Sequence, residues 1–177
     1  IEIEYDSSPL FMNTIIANNI ITEGEGSGVY INSCHANSSP IFINTTISGN
    51  VSSDSVGVFI RQGDSNFIMK NSIIWDNGPS IVVAENENST FQLQYNNIRF
   101  GWEGEGNIDI DPLFTDPENG DYILQEGSPC IDTGTADIDG DGVDDITDFI
   151  GSAPDMGALE FGESSDIIAG DTNFDGI

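Results

Sequence analysis

Positive charge is scarce in this chain of 177 residues, which has three Lys or Arg residues against 31 Asp or Glu and a formal net charge of -28. Nucleic-acid binding requires Lys and Arg to neutralise phosphates, so we expect no nucleic-acid partner. The same shortage disfavours anionic membrane surfaces and acidic polysaccharides. Divalent cations, above all calcium, are natural partners for so many carboxylates, although the charge can also serve solubility alone.

Cysteines and long apolar runs are also scarce. Cys34 and Cys130 do not make a disulfide framework, and we expect two buried thiols rather than a bridge. No run is long enough to span a membrane, so we expect no membrane insertion. The sequence begins at Ile1 with no signal peptide, and we expect an upstream part that carries the localisation signal.

Four related stretches recur along the first half of the chain. They are residues 9–19, 40–50, 66–77 and 90–101, and they align the column Ile16, Ile47, Ile74 and Ile98 at steps of 31, 27 and 24 residues. A second, shorter apolar segment lies between them, at residues 28–31, 57–60, 81–84 and 108–110. No segment keeps a helical period over three turns. Short strands at a repeat of this length are typical of a β-solenoid.

Asparagines form two further columns in the same alignment. Asn13, Asn44 and Asn71 make one column, which Tyr95 closes, and Asn19, Asn50 and Asn77 make the other. Asn tolerates left-handed backbone at a corner, and stacked amides can hydrogen-bond from one coil to the next. We therefore interpret the columns as structural ladders; the alternative is a ligand-binding role.

These coils with Asn-bearing turns resemble the right-handed parallel β-helix proteins. The resemblance implies an all-β fold, a right-handed parallel β-helix (solenoid) over residues 1–111, with an irregular C-terminal cap. It says little about activity, because that fold hosts lyases, hydrolases, adhesins and inert surface proteins alike. We expect a monomer.

A different composition begins at Asp111 and defines a second region, residues 112–162. It contains Asp111-Pro-Leu-Phe114, Gly120-Asp-Tyr122, Gly127-Ser-Pro-Cys-Ile-Asp132 and Asp155-Met-Gly-Ala-Leu-Glu160. This order resembles the C-terminal "choice-of-anchor" module of bacterial surface β-helix proteins. We expect the region to cap the solenoid. The predicted apolar contacts come from Leu113, Phe114, Tyr122, Ile123, Leu124 and Ile131.

A carboxylate-rich stretch inside this region has the spacing of a calcium loop. Acidic residues occupy loop positions 1, 3, 5, 9 and 12, with Gly142 at position 6. The predicted calcium ligands are Asp137, Asp139, Asp141, Val143 (through its position in the loop), Asp145 and Asp148. Asp148 is shorter than the usual Glu at position 12, and no amphipathic helix flanks the loop. The alternative is a solvated acidic turn.

The end of the sequence carries a second calcium-like string. After a linker at residues 163–169, residues 170–177 resemble the opening of a type I dockerin repeat, with Asp171, Asn173 and Asp175 as the first calcium ligands. A complete dockerin would imply a cohesin partner and, by association, polysaccharide breakdown. The alternative is a generic acidic tail.

No catalytic set stands out in the sequence. The basic residues Arg61, Lys70 and Arg99 lie outside any recognisable acidic ligand set, and the pair Asp144–Asp145 belongs to the calcium-like loop. His35 is interpreted as a turn residue. Trp75, Tyr95 and Trp102 could stack on sugar rings, or they pack in the core.

Three functions remain open from the sequence. The first is a secreted or cell-surface β-helix module that is calcium-braced, structural or carbohydrate-associated, and non-catalytic in this region. The second is the C-terminal part of a dockerin-bearing polysaccharide lyase or glycoside hydrolase whose active site lies upstream. The third is an adhesin. All three imply an extracellular or cell-surface location reached by bacterial-type secretion.

Overall fold

A computed structural model describes residues 1–4, 6–22, 28–32, 38–51, 56–61, 66–83 and 89–162. Its strands are β1 (Glu2–Glu4), β2 (Leu10–Ala17), β3 (Val29–Asn32), β4 (Ile41–Ser48), β5 (Val58–Ile60), β6 (Asn66–Lys70), β7 (Ile73–Trp75), β8 (Ile81–Val83), β9 (Thr90–Gln94), β10 (Asn97–Ile98), β11 (Phe114–Asp116) and β12 (Asp121–Leu124). A 3-10 helix spans Pro117–Asn119. Within the described residues no helix is long and apolar enough to cross a lipid bilayer.

The first sheet stacks one short strand from each of four coils, in the order β1-β3-β5-β8. All its pairings are parallel, and the register runs from Ile3 through Ile31 and Ile60 to Val83. Strands that follow each other in this sheet are separated in sequence by one strand of the second sheet, or by two between β5 and β8. The chain therefore winds in coils, as a solenoid requires.

The second sheet bends at a column of left-handed residues. β4 pairs with β2 on one side, and on its other side with β6 through its first half and with β7 through its second half. β6 continues to β9, and β7 to β10. Asn13, Asn44, Asn71 and Tyr95 have φ angles of 47°, 46°, 51° and 57° and sit at this bend. The predicted Asn corner is confirmed, because Asn tolerates this backbone region better than most residues.

The core of the solenoid is a stack of equivalent side chains. Ile16, Ile47, Ile74 and Ile98 are all buried, as the sequence pattern predicts. A column of aromatic rings runs through Phe11, Phe42, Phe67, Phe91 and Trp102, with successive centroids 4.7, 5.5, 6.5 and 5.5 Å apart; the first pair is stacked and the others are tilted. Like side chains meet in each column because the parallel register repeats from coil to coil.

The second Asn column is a ladder of amides. The Nδ2 of Asn19 donates to the Oδ1 of Asn50 at 2.8 Å, and the Nδ2 of Asn50 donates to the Oδ1 of Asn77 at 2.9 Å. The same Nδ2 groups of Asn50 and Asn77 also donate to the carbonyls of Ile16 and Ile47. The amides thus satisfy buried backbone groups at a turn where sheet pairing stops.

A further ladder lies just after the bend and was not predicted. The backbone N–H groups of Thr45, Ser72 and Asn96 each donate to the side chain one coil further on, at Ser72 Oγ, Asn96 Oδ1 and Asn107 Oδ1. Its members differ in type, so the sequence alignment did not reveal a column.

One predicted strand is placed wrongly by the sequence pattern. Residues 108–110 were expected to extend the first sheet beyond β8. Instead Ile108 forms an isolated parallel bridge with Asn97, beside β10 of the second sheet. The last coil is too short to return to the first sheet: the segment between β10 and Ile108 folds back early, and the Tyr95 N–H donates to the Glu105 carbonyl at 2.8 Å.

The C-terminal region has its own small core. β11 and β12 form an antiparallel pair, and Phe114, Tyr122 and Leu124 are buried together with Cys130 and Met156. Ile123 and Ile131 are half-buried. Leu113 was expected to be buried, but it is 39% exposed. It has a φ of 55°, and its N–H donates to the Asp111 Oδ1 at 2.9 Å.

This region covers the outer face of the second sheet, on the side of the solenoid. Thr46, Ile73 and Asn97 alternate with core residues on β4, β7 and β10, so they point outward, yet all three are buried. Ile73 joins the C-terminal core. The Thr46 hydroxyl accepts the Ala158 N–H at 3.0 Å, and the Asn97 Nδ2 donates to the Cys130 Sγ at 3.1 Å. β4 is therefore buried on both faces, whereas β2 keeps an exposed outer face.

We predict that Asn50→Ala destabilises the fold by about 2–4 kcal/mol, because it removes the buried donor to the Ile16 carbonyl and both amide–amide hydrogen bonds of the ladder. Asn19→Ala, at the exposed end of the ladder, is the matched control and should cost less than about 1 kcal/mol. Urea unfolding followed by circular dichroism measures both. Equal losses in the two variants would contradict a buried ladder.

We predict that Cys130 is unreactive in the folded protein. It is free and fully buried, and burial raises the pKa of its thiol to about 11, partly offset by a hydrogen bond from Asn97. At pH 8 that leaves roughly one thiolate in a thousand, against about a quarter for a free thiol. Alkylation with iodoacetamide, followed by peptide mass mapping, should be at least about a hundredfold slower than in guanidinium. Equal alkylation rates in the folded protein and in guanidinium would show that the core around Cys130 is open to solvent.

Candidate metal centre and aromatic cluster

A closed turn, residues 136–146, holds the ligands predicted for the first calcium loop except Asp148; we call it the carboxylate turn. The N–H groups of Asp145 and Ile146 donate to the Ala136 carbonyl at 2.9 and 3.0 Å, which closes its base. Gly140 and Gly142 have φ angles of 81° and 88°, where a side chain is disfavoured. The two glycines therefore permit the tight reversal that brings the ends of the stretch together.

Carboxylates organise the inside of this turn. The two oxygens of Asp137 accept the N–H groups of Gly140 at 2.7 Å and Gly142 at 2.9 Å. Oδ2 of Asp145 accepts the N–H groups of Ile138 at 2.8 Å and Asp139 at 3.2 Å. Backbone N–H groups thus point at carboxylates from both ends of the turn, and the side chains are held rather than free to rotate.

Three carboxylates converge as a result. One oxygen each of Asp137, Asp139 and Asp145 lies within 4.8 Å of the others. Like charges at this separation repel by about 1 kcal/mol per pair in water, and by more near a protein surface. A divalent cation between them would remove that repulsion. The arrangement matches loop positions 1, 3 and 9 of the sequence prediction.

The other predicted ligands lie outside this group. Asp141 accepts the Val143 N–H at 2.8 Å in a local turn, and Val143 is 66% exposed. Asp148 lines a separate cavity. Calcium takes six to eight oxygen ligands. Three carboxylates fit part of that set, and carbonyls or water would have to complete it.

Lys70 anchors the carboxylate turn to the solenoid. It ends β6, is 8% exposed, and donates from Nζ to the Ile138 carbonyl at 2.8 Å. Asn71 beside it clasps the backbone of Thr135: its Oδ1 accepts the Thr135 N–H at 2.8 Å and its Nδ2 donates to the carbonyl at 2.7 Å. The geometry of the turn is therefore coupled to the bend of the second sheet.

A second group of carboxylates is structural. Asp132 Oδ1 accepts the N–H groups of Ser152 at 2.6 Å and Ala153 at 3.2 Å, and these bonds lower the pKa of Asp132. Asp155 is buried and accepts the N–H groups of Asp132 and Phe161. Burial raises the pKa of Asp155 despite those bonds. Each of these carboxylate oxygens accepts a backbone N–H group. Asp132 and Asp155 therefore hold together separate segments of the C-terminal region.

The residues predicted to contact sugars are not assembled into one surface. Tyr95 packs against the C-terminal core, and Trp102 packs on Phe91 at the end of the ring stack. Trp75 is half-buried, and the guanidinium of Arg99 lies 5.5 Å from its ring centroid. The three side chains therefore occupy different environments.

An arginine–aromatic cluster forms around Trp75 instead; it consists of Trp75, Asp76, Arg99 and Phe100. Arg99 lies between the Trp75 and Phe100 rings and forms an ion pair with Asp76. Phe100 is 69% exposed and has a φ of 71°, which is strained for an aromatic residue. Beside it, residues 78–81 and 98–102 enclose a cavity of about 500 Å³.

Sequence reasoning missed Phe100 and gave Arg99 no role. The signal was the concentration of a scarce arginine and two aromatics in Arg99-Phe-Gly-Trp102. Arg61 and Lys70 also have structural partners: Arg61 donates to the Tyr30 hydroxyl at 3.2 Å, and Lys70 to the carboxylate turn. His35, Cys34, the 163–169 linker and the dockerin-like residues Asp171, Asn173 and Asp175 lie outside the described residues.

Comparison with known proteins addresses the first region. A family model described as "Right handed beta helix region" matches residues 1–104. No curated protein and no solved structure matches the chain. The matched residues contain the parallel ladders, the Asn corner and the ring stack described above. On this match, which covers more than half of its length, the chain belongs to the right-handed β-helix family.

Proposed function

We propose that this chain is a calcium-braced β-helix module of a secreted or cell-surface protein, non-catalytic in this region and associated with carbohydrate. The observation that carries the proposal is the convergence of Asp137, Asp139 and Asp145 within a turn tied to the solenoid by Lys70. The choice-of-anchor resemblance of residues 112–162 supports a surface role.

Calcium fits the donor chemistry of the carboxylate turn better than zinc or copper. All three converging groups offer hard carboxylate oxygens, with no imidazole or thiolate among them. Two of the three side chains are exposed and the third is half-buried. An exposed site of this kind would bind weakly, on the order of the 0.1–1 mM typical of extracellular calcium modules. Such a site is filled only where calcium is abundant, which supports a location outside the cell.

The proposed role of the ion is to order the C-terminal region against the coils. The carboxylate turn has few apolar contacts of its own, and its carboxylates repel one another. A bound cation would replace repulsion with attraction and keep Ile138 in position for Lys70. Calcium would then stabilise the folded chain by mass action.

We predict that calcium at a hundred times its dissociation constant adds about 2.7 kcal/mol, which corresponds to a rise of roughly 5–10 °C in the unfolding midpoint over excess EDTA. Asp139→Asn should abolish most of this rise. Asp144→Asn, in the same turn but outside the converging group, is the matched control and should keep it. Differential scanning calorimetry measures the three proteins. A midpoint that calcium leaves unchanged in the parent chain would rule out the brace.

The arginine–aromatic cluster is the proposed carbohydrate contact. Exposed Phe100 offers a flat apolar ring, and Arg99 with Asp76 offers donors and acceptors beside it. Sugar rings have apolar faces and hydroxyl edges that suit both. The net charge of -28 favours neutral over acidic polysaccharides.

We predict that Phe100→Ala weakens binding to a neutral polysaccharide about 3- to 10-fold, because it removes one stacking ring. Affinity electrophoresis in gels containing a β-glucan, a xylan or a mannan measures the effect. Ile20→Ala, also on an exposed apolar side chain, is the control and should migrate like the parent. If no neutral polysaccharide retards the parent chain, the carbohydrate proposal falls.

A second candidate function rests on the sequence string of residues 170–177. Its likeness to a dockerin repeat favours a full-length protein that binds a cohesin and takes part in polysaccharide breakdown, with any active site upstream. A pull-down of the full-length protein with a type I cohesin, with and without calcium, tests it. Failure to bind in calcium would remove this candidate and leave the β-helix module unaffected.

A further inference from the structure

The last coil departs from the repeat at two consecutive positions, and Phe100 is the first of them. The parallel register of the second sheet brings one residue of each coil to the same corner: Asn18, Gly49, Asp76 and Phe100. Their φ angles are 54°, 64°, 53° and 71°, so all four coils turn this corner through left-handed backbone. Asn, Gly and Asp tolerate that region, whereas Phe is strained in it. Backbone strain of this kind is concentrated at functional positions.

Gly101 is the second departure, because it stands where the Asn ladder would continue. In the coils before it, the N–H of Asn19 donates to Asn50 Oδ1 at 3.1 Å, and the N–H of Asn50 donates to Asn77 Oδ1 at 3.0 Å. Gly101 has no side chain to accept the next N–H, that of Asn77, and the described part of the chain offers that group no other acceptor. Asn77 is 1% exposed. The ladder therefore ends in a buried donor without a partner.

Open space lies beside this end of the ladder. A Cβ on Gly101 would have no atom within 4 Å, and Gly101 lines the cavity of about 500 Å³ that residues 78–81 and 98–102 enclose; we call it the Trp102 cavity. Its volume falls within the range of small-molecule sites, roughly 300–1,000 Å³. The cavity is continuous with the arginine–aromatic cluster, because Arg99 and Phe100 belong to both.

The walls of the Trp102 cavity favour an apolar group. The apolar side chains of its lining are Pro79, Ile81, Ile98, Phe100 and Trp102. The Ser80 hydroxyl is already engaged on the Arg99 carbonyl at 2.8 Å, and the Arg99 guanidinium is paired with Asp76. A sugar hydroxyl placed against these walls would lose its hydrogen bonds to water without replacement, whereas a methyl group would lose none.

We propose that the Trp102 cavity binds the acetyl group of an acetylated neutral sugar whose ring stacks on Phe100. The methyl group contacts Ile81 and Trp102, and the carbonyl oxygen accepts the Asn77 N–H in place of the missing Asn side chain. An N-acetyl group carries the same amide function as Asn, and an O-acetyl group offers the same carbonyl and methyl. An apolar peptide side chain would fill the space but leave the Asn77 N–H unsatisfied. The assignment rests on the proposed carbohydrate contact and names the class of sugar that it takes.

The first test compares two sugars that differ in the acetylated group. Chitohexaose and cellohexaose share a β-1,4-linked glucose backbone, but only the first carries N-acetyl groups. Isothermal titration calorimetry with the parent chain should give about tenfold tighter binding of chitohexaose, since one buried hydrogen bond and one buried methyl group distinguish the two sugars. Affinity gels with acetylated and alkali-deacetylated xylan apply the same comparison to O-acetyl groups, and retardation by acetylated xylan alone would support the same site.

Equal binding within both pairs of sugars would overturn the acetyl site and leave the carbohydrate contact at Phe100 standing. Failure of all four sugars to bind would remove the contact and the acetyl site together. Phe100→Ala should weaken chitohexaose and cellohexaose by a similar factor, because stacking is common to both.

Gly101→Asn tests the position of the acetyl group. Asn tolerates a φ of 76°, and its side chain would complete the ladder and fill the place assigned to the ligand. The variant should therefore lose the roughly tenfold preference for chitohexaose, with no fall in its unfolding midpoint. Gly120→Asn, at another left-handed glycine with open space around it, is the matched control and should keep the preference. A preference that survives in folded Gly101→Asn would overturn the site.

Discussion

The parallel register between successive coils is the constraint on which the rest of the structure depends. When Ile47 pairs with Ile16 and Ile74, its neighbours in β4 also pair with the equivalent residues of β2 and β7. Amides then stack on amides and rings on rings, and each column satisfies the polar or apolar groups that a lone coil would expose. A column of Asn residues can satisfy its own hydrogen-bonding groups at any length, because each side-chain amide carries both a donor and an acceptor.

The same register explains where the columns fail to satisfy themselves. At the bend, Asn71 turns away from its column to clasp Thr135, because the C-terminal region lies against that coil. Asn44 has the corner geometry without that partner. The carboxylate turn contacts the solenoid next to this bend, through Lys70. Its tight reversal has no hydrophobic core of its own. Backbone N–H groups, which donate to Asp137 and Asp145, are the source of order that the structure shows in so acidic a segment.

The sequence predicted what repeats and missed what occurs once. The isoleucine column and both Asn columns could be found by alignment, since each recurs at equivalent positions. Asp137, Asp139 and Asp145 could be grouped from spacing alone, but Asp141 and Asp148 could not be separated from them, because their placement depends on local turns and on packing near Asn44. Ile108 was assigned to the wrong sheet because the final coil shortens. The cluster of Arg99 and Phe100 has no counterpart in other coils, so no periodicity pointed to it.

The outer-face contacts of the C-terminal region have a consequence for cooperativity. In an ordinary solenoid each coil contacts only its immediate neighbours, so unfolding can begin at one end and proceed coil by coil. Here a single segment touches Thr46, Ile73 and Asn97, which belong to three successive coils. Opening any one of these coils therefore disturbs contacts shared with the other two. The C-terminal region therefore enlarges the cooperative unit. We expect these three coils to unfold together, as a globular domain does.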